Sequence, residues 1–169
     1  MFNKERLSNV QLIAFDFDGV FTDNTVYVSQ DNIESVRCWR SDGLGISRLE
    51  SIGVQAFIIS TEVNPVVTMR ANKLKMRCKQ GIEDKESAIL ETCAELGIAS
   101  ENTMFVGNDI NDIPALKAIG FPIAVADTYP EVLPHVLFCT EKPGGFGAVR
   151  EICDLIFHAK NNDQNETKL

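Results

Sequence analysis

A short apolar run at residues 10–15 (VQLIAF) ends on Asp16 and Asp18, and this junction restricts the fold more than any other feature. The run predicts a buried strand, and Gly19 marks where the chain turns away from it. Two carboxylates just past the carboxyl end of a strand project into the crevice where open α/β sheets hold ligands. Like charges that close resist ionising together unless a cation or a shared proton relieves them. Mg²⁺, a hard ion that prefers oxygen donors, is the simplest relief. The strand end is therefore read as a metal site first and a phosphate site second.

The rest of the chain alternates strand-like and helix-like segments, which predicts α/β architecture: a Rossmann-like, doubly wound parallel sheet with helices on both faces. A protruding β-hairpin is expected over residues 25–38, around Gln30-Asp31-Asn32. Asp42 is expected to cap a helix that turns Leu44, Ile46, Leu49 and Ile52 inward and ends at Gly53. Further strands are expected at 54–59, 76–79, 103–106, 123–125 and 136–139. Further helices are expected at 64–74, opened by Asn64-Pro65, and at 84–96, 113–119 and 146–158. Residues 1–160 read as a single domain and 161–169 (NNDQNETKL) as a disordered polar tail.

Composition excludes several classes. A formal charge of −8 leaves no basic stripe to neutralise nucleic-acid phosphates, so no nucleic-acid partner is expected. No run is long enough to span a membrane. Five cysteines without C-x-x-C spacing make neither a disulfide framework nor a zinc knuckle and fit a reducing cytoplasm. His135 and His158 have no partner at metal-ligand spacing.

Polar residues recur at the expected strand ends: Asp16 and Asp18, then Ser60 and Thr61, then Lys85 opening a helix after Gln80-Gly81, then Asn108, Asp109 and Asp112. In a parallel sheet these ends share one edge, so residues distant in sequence converge. Taken singly, each has an ordinary reading: a solvated turn, a Ser/Thr cap, a surface lysine, an acidic cluster at a helix start. The ordered set carries the inference. A receiver domain also gathers acids and a lysine at strand ends, but its lysine should follow the last strand, and Lys85 comes too early.

With those residues in view, DFDGVFTDN, the strand-terminal serine, the lone lysine and GNDIND resemble the four motifs of the haloacid dehalogenase superfamily. The likeness continues through QGIEDK, VGNDINDIPAL, AVADTYPEVLPHV and KPGGFGAVREICDLI. These last segments resemble the branch of phosphatases acting on 3-deoxy-manno-octulosonate 8-phosphate and on nonulosonate 9-phosphates. The same module also lies behind some acylneuraminate cytidylyltransferases.

The resemblance implies a Mg²⁺-dependent phosphatase. Mg²⁺ and Lys85 would neutralise the phosphate, and Asp16 would attack phosphorus to give an aspartyl-phosphate. Asp18 would protonate the leaving alkoxide and then activate water, while Ser60 would bind a phosphate oxygen. An acid at Asp18 favours hydrolase chemistry over dehalogenation. The metal set would be Asp16, the Asp18 carbonyl and a residue of the GNDIND loop. The branch commonly has an aspartate where this chain has Asn108; Asn108 is expected as the direct ligand with Asp109 and Asp112 in support, and Asp109 is the alternative. A catalytically weakened tetramerisation module beside a sialic-acid-type activating enzyme is the alternative function.

The gaps between Asp18, Ser60 and Lys85 leave no room for a cap domain. The resemblance implies instead a homotetramer, in which the hairpin and a neighbour's carboxyl-terminal loop, with Gly144 and Gly145, cover the site. Glu62 is expected at the pocket edge, with Arg70 and Lys73 on the helix just behind it, where the basic pair could hold the substrate carboxylate. In the branch these residues, with Thr61-Glu62 where the octulosonate enzymes have Gly-Arg, resemble the nine-carbon acid enzymes, which inclines the reading towards a nine-carbon acid over the octulosonate.

Overall fold

The structure is a computed structural model that describes residues 4–166. Strand β1 (Leu12–Phe15) leads into a hairpin of β2 (Tyr27–Val28) and β3 (Glu34–Ser35). Next come α1 (Asp42–Ser51), β4 (Gln55–Ile59), α2 (Val66–Leu74), β5 (Arg77–Lys79) and α3 (Lys85–Leu96). The chain closes with β6 (Thr103–Gly107), α4 (Ile113–Ala118), β7 (Phe121–Ala124), β8 (Phe138–Cys139) and α5 (Ala148–Glu166).

Six strands make one parallel sheet in the order β5-β4-β1-β6-β7-β8. The winding reverses between β1 and β6, so the crevice of this doubly wound sheet opens at the ends of those two strands. All four residues of β1 are buried, because each face of the sheet is covered. Ile13 and Phe15 pack with Leu49, Val67, Ile152 and Ile156 beneath α1, α2 and α5, while Leu12 and Ala14 pack with Ile89, Phe105 and Leu116 beneath α3 and α4. A strand buried on both sides has no polar face, which explains the unbroken apolar run.

Only the hairpin and α1 separate β1 from β4, and only α2 separates β4 from β5, so no cap domain is present. The hairpin pairs Tyr27 with Ser35 and Val28 with Glu34, and its strands are exposed.

Three local expectations change. Ser41 is the N-cap of α1, and the buried Asp42 instead faces the backbone N–H of Arg150 in the first turn of α5. Leu44 is exposed; Gly45 takes the inward position, because a side chain there would meet Cys153 and Arg150 where α1 crosses α5. Finally, α5 runs to Glu166, past the end at residue 158 expected for the last helix. No glycine or proline follows Gly147 to stop it. The remainder, 167–169, lies outside the described residues.

Among the described residues, no helix is long and apolar enough to cross a membrane, and Cys38, Cys78, Cys93, Cys139 and Cys153 are all free thiols.

Candidate active site

The crevice floor is built on Lys85, the first residue of α3, whose side chain is fully buried. Its Nζ stands 2.7 Å from Asp16 Oδ1 and 2.7 Å from Asp112 Oδ1. Burial alone would lower the lysine's pKa, but the two carboxylates override it and raise the pKa. Burial pushes the Asp16 carboxyl up to about 7, the Asp112 charge adds to the rise, and Lys85 offsets it only in part. Asp16 also accepts a hydrogen bond from the Phe17 N–H at 2.7 Å.

The loop after β6 is held by Asp112. Its Oδ2 accepts from the backbone N–H groups of Asn108 (2.8 Å) and Asp109 (3.2 Å), while its Oδ1 takes the Lys85 proton donor. Both oxygens of Asp112 are thus engaged. Asp109 takes part as well: its Oδ1 accepts from the Ile110 N–H at 2.7 Å, forming a capping box with Asp112. Both acids, expected as metal ligands or their supports, also hold the loop through these hydrogen bonds.

Asn108 differs. Its Oδ1 is buried and has no protein partner. Gly19 (φ +76°) lies directly against the amide, and a Cβ at position 19 would overlap it. Among the described residues no three Asp, Glu, His or Cys side chains converge into a metal cluster. The unpaired Asn108 oxygen and the Asp16 carboxylate are both oxygen donors of the kind a hard divalent cation takes.

Asp18 sits at the mouth. Burial and then the nearby Glu62 charge raise its pKa, and Thr22 Oγ1 donates to it at 3.4 Å. Thr22, four residues on in the same motif, had no assigned part in the sequence reading. Ser60 is buried at the end of β4, and its Oγ accepts from the Glu62 N–H at 3.1 Å. Asp18, Asn24, Glu34, Glu62 and Asn64 are among the residues lining a cleft of about 190 Å³. A wider groove of about 590 Å³ lies between β8 and α5, away from these groups, so size does not mark the site.

The architecture and this acid–lysine floor can be set beside known proteins. Residues 78–151 match the family model of haloacid dehalogenase-like hydrolases. The chain is 34% identical over 166 residues to 3-deoxy-D-manno-octulosonate 8-phosphate phosphatase KdsC of Yersinia pestis, covering 98% of this chain and 89% of the relative. The chain is a haloacid dehalogenase-like hydrolase. It belongs to the branch of the octulosonate phosphatases.

Two solved hydrolases of this family illustrate the match. The 3-deoxy-D-manno-octulosonate 8-phosphate phosphatase of Moraxella catarrhalis, solved with magnesium, phosphate and KDO, superposes with a TM-score of 0.90 at 30% identity, covering 98% of this chain and 95% of that one. A HAD family hydrolase from Streptomyces avermitilis is 42% identical with a TM-score of 0.85, covering 88% of this chain and 86% of that one.

The residues expected to select the substrate have the following places in the structure. Glu62 lines the cleft, but its Oε1 accepts from the Val63 and Asn64 N–H groups, both at 2.7 Å, at the entry to α2. Arg70 Nη2 donates to the Trp39 carbonyl at 2.8 Å, towards the start of α1. Lys73 is exposed in the last turn of α2, which runs away from the crevice edge. Thr61 is exposed beside Ser60. Gly144 and Gly145 are buried against the protein's own loop at residues 19–23, where side chains would overlap the Gly19 carbonyl and the Asp23 backbone. The Gly145 N–H donates to Val20 O at 3.1 Å and the Gly144 N–H to Asp127 Oδ1 at 2.9 Å. Within the chain, these glycines brace the loop that follows β1. Spacing on a helix gave no warning of this, because the tilt of α2 and the path of the last loop are tertiary properties.

Proposed function

We propose that this chain is a Mg²⁺-dependent phosphatase of 3-deoxy-ulosonic acid phosphates, with 3-deoxy-D-manno-octulosonate 8-phosphate as the preferred substrate. The observation that carries the reading is the buried lysine held between Asp16 and Asp112. It offers a positive charge beside a carboxylate that is otherwise too desolvated to ionise readily.

In this mechanism the substrate phosphate lies over the floor, with oxygens towards Lys85 and the Ser60 hydroxyl. Asp16 attacks phosphorus in line, forming an aspartyl-phosphate as the sugar alkoxide leaves. Asp18, whose carboxyl is pushed up by burial and the nearby Glu62 charge, acts as the acid that gives a proton to that alkoxide. Once ionised, it takes a proton from the water that opens the acyl phosphate, which restores both aspartates. Asp16, the Asp18 carbonyl and Asn108 would hold Mg²⁺, which supplies charge neutralisation of the phosphate when bound.

The substrate preference reverses the inclination drawn from Glu62, Arg70 and Lys73. That inclination drew on a basic pair for the substrate carboxylate; Arg70 is bonded to the Trp39 carbonyl and Lys73 is exposed, which lends it little support. The octulosonate phosphatases in the same branch support the eight-carbon substrate.

The single-domain chain is proposed to work in the cytoplasm as a homotetramer. A cleft of about 190 Å³ is small against typical ligand sites of ~300–1,000 Å³, so a second wall is needed. Val26, Tyr27, Val28 and Ile33 expose more than half their surface on a hairpin too short to be stable alone. Such a hairpin suits cover by, and of, a neighbouring copy.

Phosphate release from octulosonate 8-phosphate and from a nonulosonate 9-phosphate, with and without Mg²⁺, tests the reading. Mg²⁺-dependent release, faster for the octulosonate and abolished in Asp16→Asn, is expected. No release from either, from a folded protein, would remove the enzymatic reading.

A further inference from the structure

The two arms of the hairpin differ in length at its base. Thr22 and Cys38 form an antiparallel bridge, and further out Tyr27 pairs with Ser35. Between these points the first arm holds four residues, 23–26, and the second holds only Val36 and Arg37. The surplus is taken up as a bulge, with Asn24 at φ +59°, in the left-handed region that asparagine tolerates. Bulges beside active sites re-aim side chains. Here Asn24, Thr25 and Val26 line the cleft of about 190 Å³, with Glu34 and Val36 of the second arm.

A bulge interrupts the ladder of backbone hydrogen bonds, so the chain needs another fastening there. Asp23 supplies it. Its Oδ1 accepts from the Thr25 N–H at 3.3 Å and from the Thr25 hydroxyl at 2.5 Å, which folds the first arm back on itself. Its Oδ2 accepts from Arg37 Nε at 2.9 Å, and Arg37 Nη2 stands 2.9 Å from the same oxygen, which ties that arm to the second. The Arg37 guanidinium also lies 4.2 Å from the centre of the Phe146 ring. Phe146 follows Gly145, which is pressed against the Asp23 backbone. One guanidinium therefore joins both arms of the hairpin to the loop before α5.

We infer that Asp23 and Arg37 are positioning residues: they hold the bulge at 24–26 as the wall that meets the substrate's sugar, and so set selectivity for the leaving group. This deepens the phosphatase reading and rests on it for the identity of that group. The floor is carried separately, by Asp16 after β1, Ser60 after β4 and Lys85 on α3. Loosening the pair thus moves the wall and leaves the floor in place. A part-exposed ion pair adds little to global stability, so its effect is on where the chain sits.

Steady-state kinetics of the wild-type protein, Arg37→Met and Arg37→Lys on octulosonate 8-phosphate and on para-nitrophenyl phosphate test this. Arg37→Met is expected to raise KM for the sugar-acid ester about tenfold, the scale of one lost hydrogen bond to the sugar. Its kcat on that ester should stay within about twofold, and both parameters for para-nitrophenyl phosphate should be unchanged. Arg37→Lys, which keeps the charge, is expected to recover part of the loss. An unchanged KM for octulosonate 8-phosphate, or an equal loss on both esters, would overturn the inference. Hydrogen–deuterium exchange on the same proteins needs no turnover. In Arg37→Met, exchange should quicken over residues 23–37 and match the wild type over β1 and β6; an unchanged hairpin would also overturn the inference. Should the wild-type protein release phosphate from neither ester, the phosphatase reading fails by itself, and the exchange comparison still decides whether the pair holds the bulge.

Discussion

Lys85 Nζ lies 2.7 Å from Asp16 Oδ1, and neither side chain is more than 6% exposed. Because Asp112 shares the same ammonium, removing it strands two buried carboxylates. Lys85→Met is expected to abolish turnover and to lower unfolding stability by roughly 3–5 kcal/mol, the usual cost of stripping one partner from a buried ion pair. Urea unfolding read beside a phosphate-release assay checks both effects. Stability unchanged from wild type would contradict the pairing.

Asp109 and Asp112 are separated by what their oxygens already do. Asp109→Asn keeps a good N-cap and is expected to leave Mg²⁺ affinity and stability unchanged. Asp112→Asn puts amide hydrogens where Lys85 and two backbone N–H groups now donate, and it is expected to lower the melting temperature and the turnover together. Calorimetry on the two variants side by side distinguishes them. Loss of Mg²⁺ binding in Asp109→Asn would make Asp109 a ligand.

Gly144 touches the Gly19 carbonyl so closely that no Cβ fits. Gly144→Ala is therefore expected to cost about 1–3 kcal/mol from overpacking. Since Gly19 in turn backs the Asn108 amide, Mg²⁺ affinity should drop as well. Thermal unfolding and a Mg²⁺ titration on the same sample read the two effects. Wild-type values in both would show that the brace is idle.

Asp42 gives a pH dependence unrelated to turnover. Burial raises its pKa from 3.8 to about 7, against the lowering influence of Arg70 and the Arg150 N–H. The folded protein thus binds this proton more tightly than the unfolded chain. Its contribution to stability is greatest below about pH 4, declines as pH rises towards 7, and is flat above that. Asp42→Asn is expected to remove a slope of at most ~1.4 kcal/mol per pH unit over that window. Denaturation midpoints of both proteins between pH 4 and 8 measure the difference, and parallel curves would refute it.

Much of this was legible before any coordinates. The run at residues 10–15 declared a strand buried on both faces, and the recurrence of polar residues at strand ends located the crevice, because a parallel sheet brings those ends to one edge. The GNDIND loop carried its own capping grammar, so the turn at Ile110–Asp112 was implicit in its letters. Gly107 and Gly19 were visible as glycines, though not as the spaces that Asp112 and Asn108 fill.

The local alphabet therefore determined the strands, the winding and which side chains meet at the floor, since strand period, helix stops and turn residues are short-range properties. Tertiary packing alone decided which oxygens remain free. It left Asn108 Oδ1 open while both oxygens of Asp112 were taken up by Lys85 and the loop, turned Arg70 towards α1, and pressed Gly144 and Gly145 onto the loop after β1. Hydrogen-bond satisfaction depends on every neighbour a group meets in space, and most of those neighbours are remote in sequence.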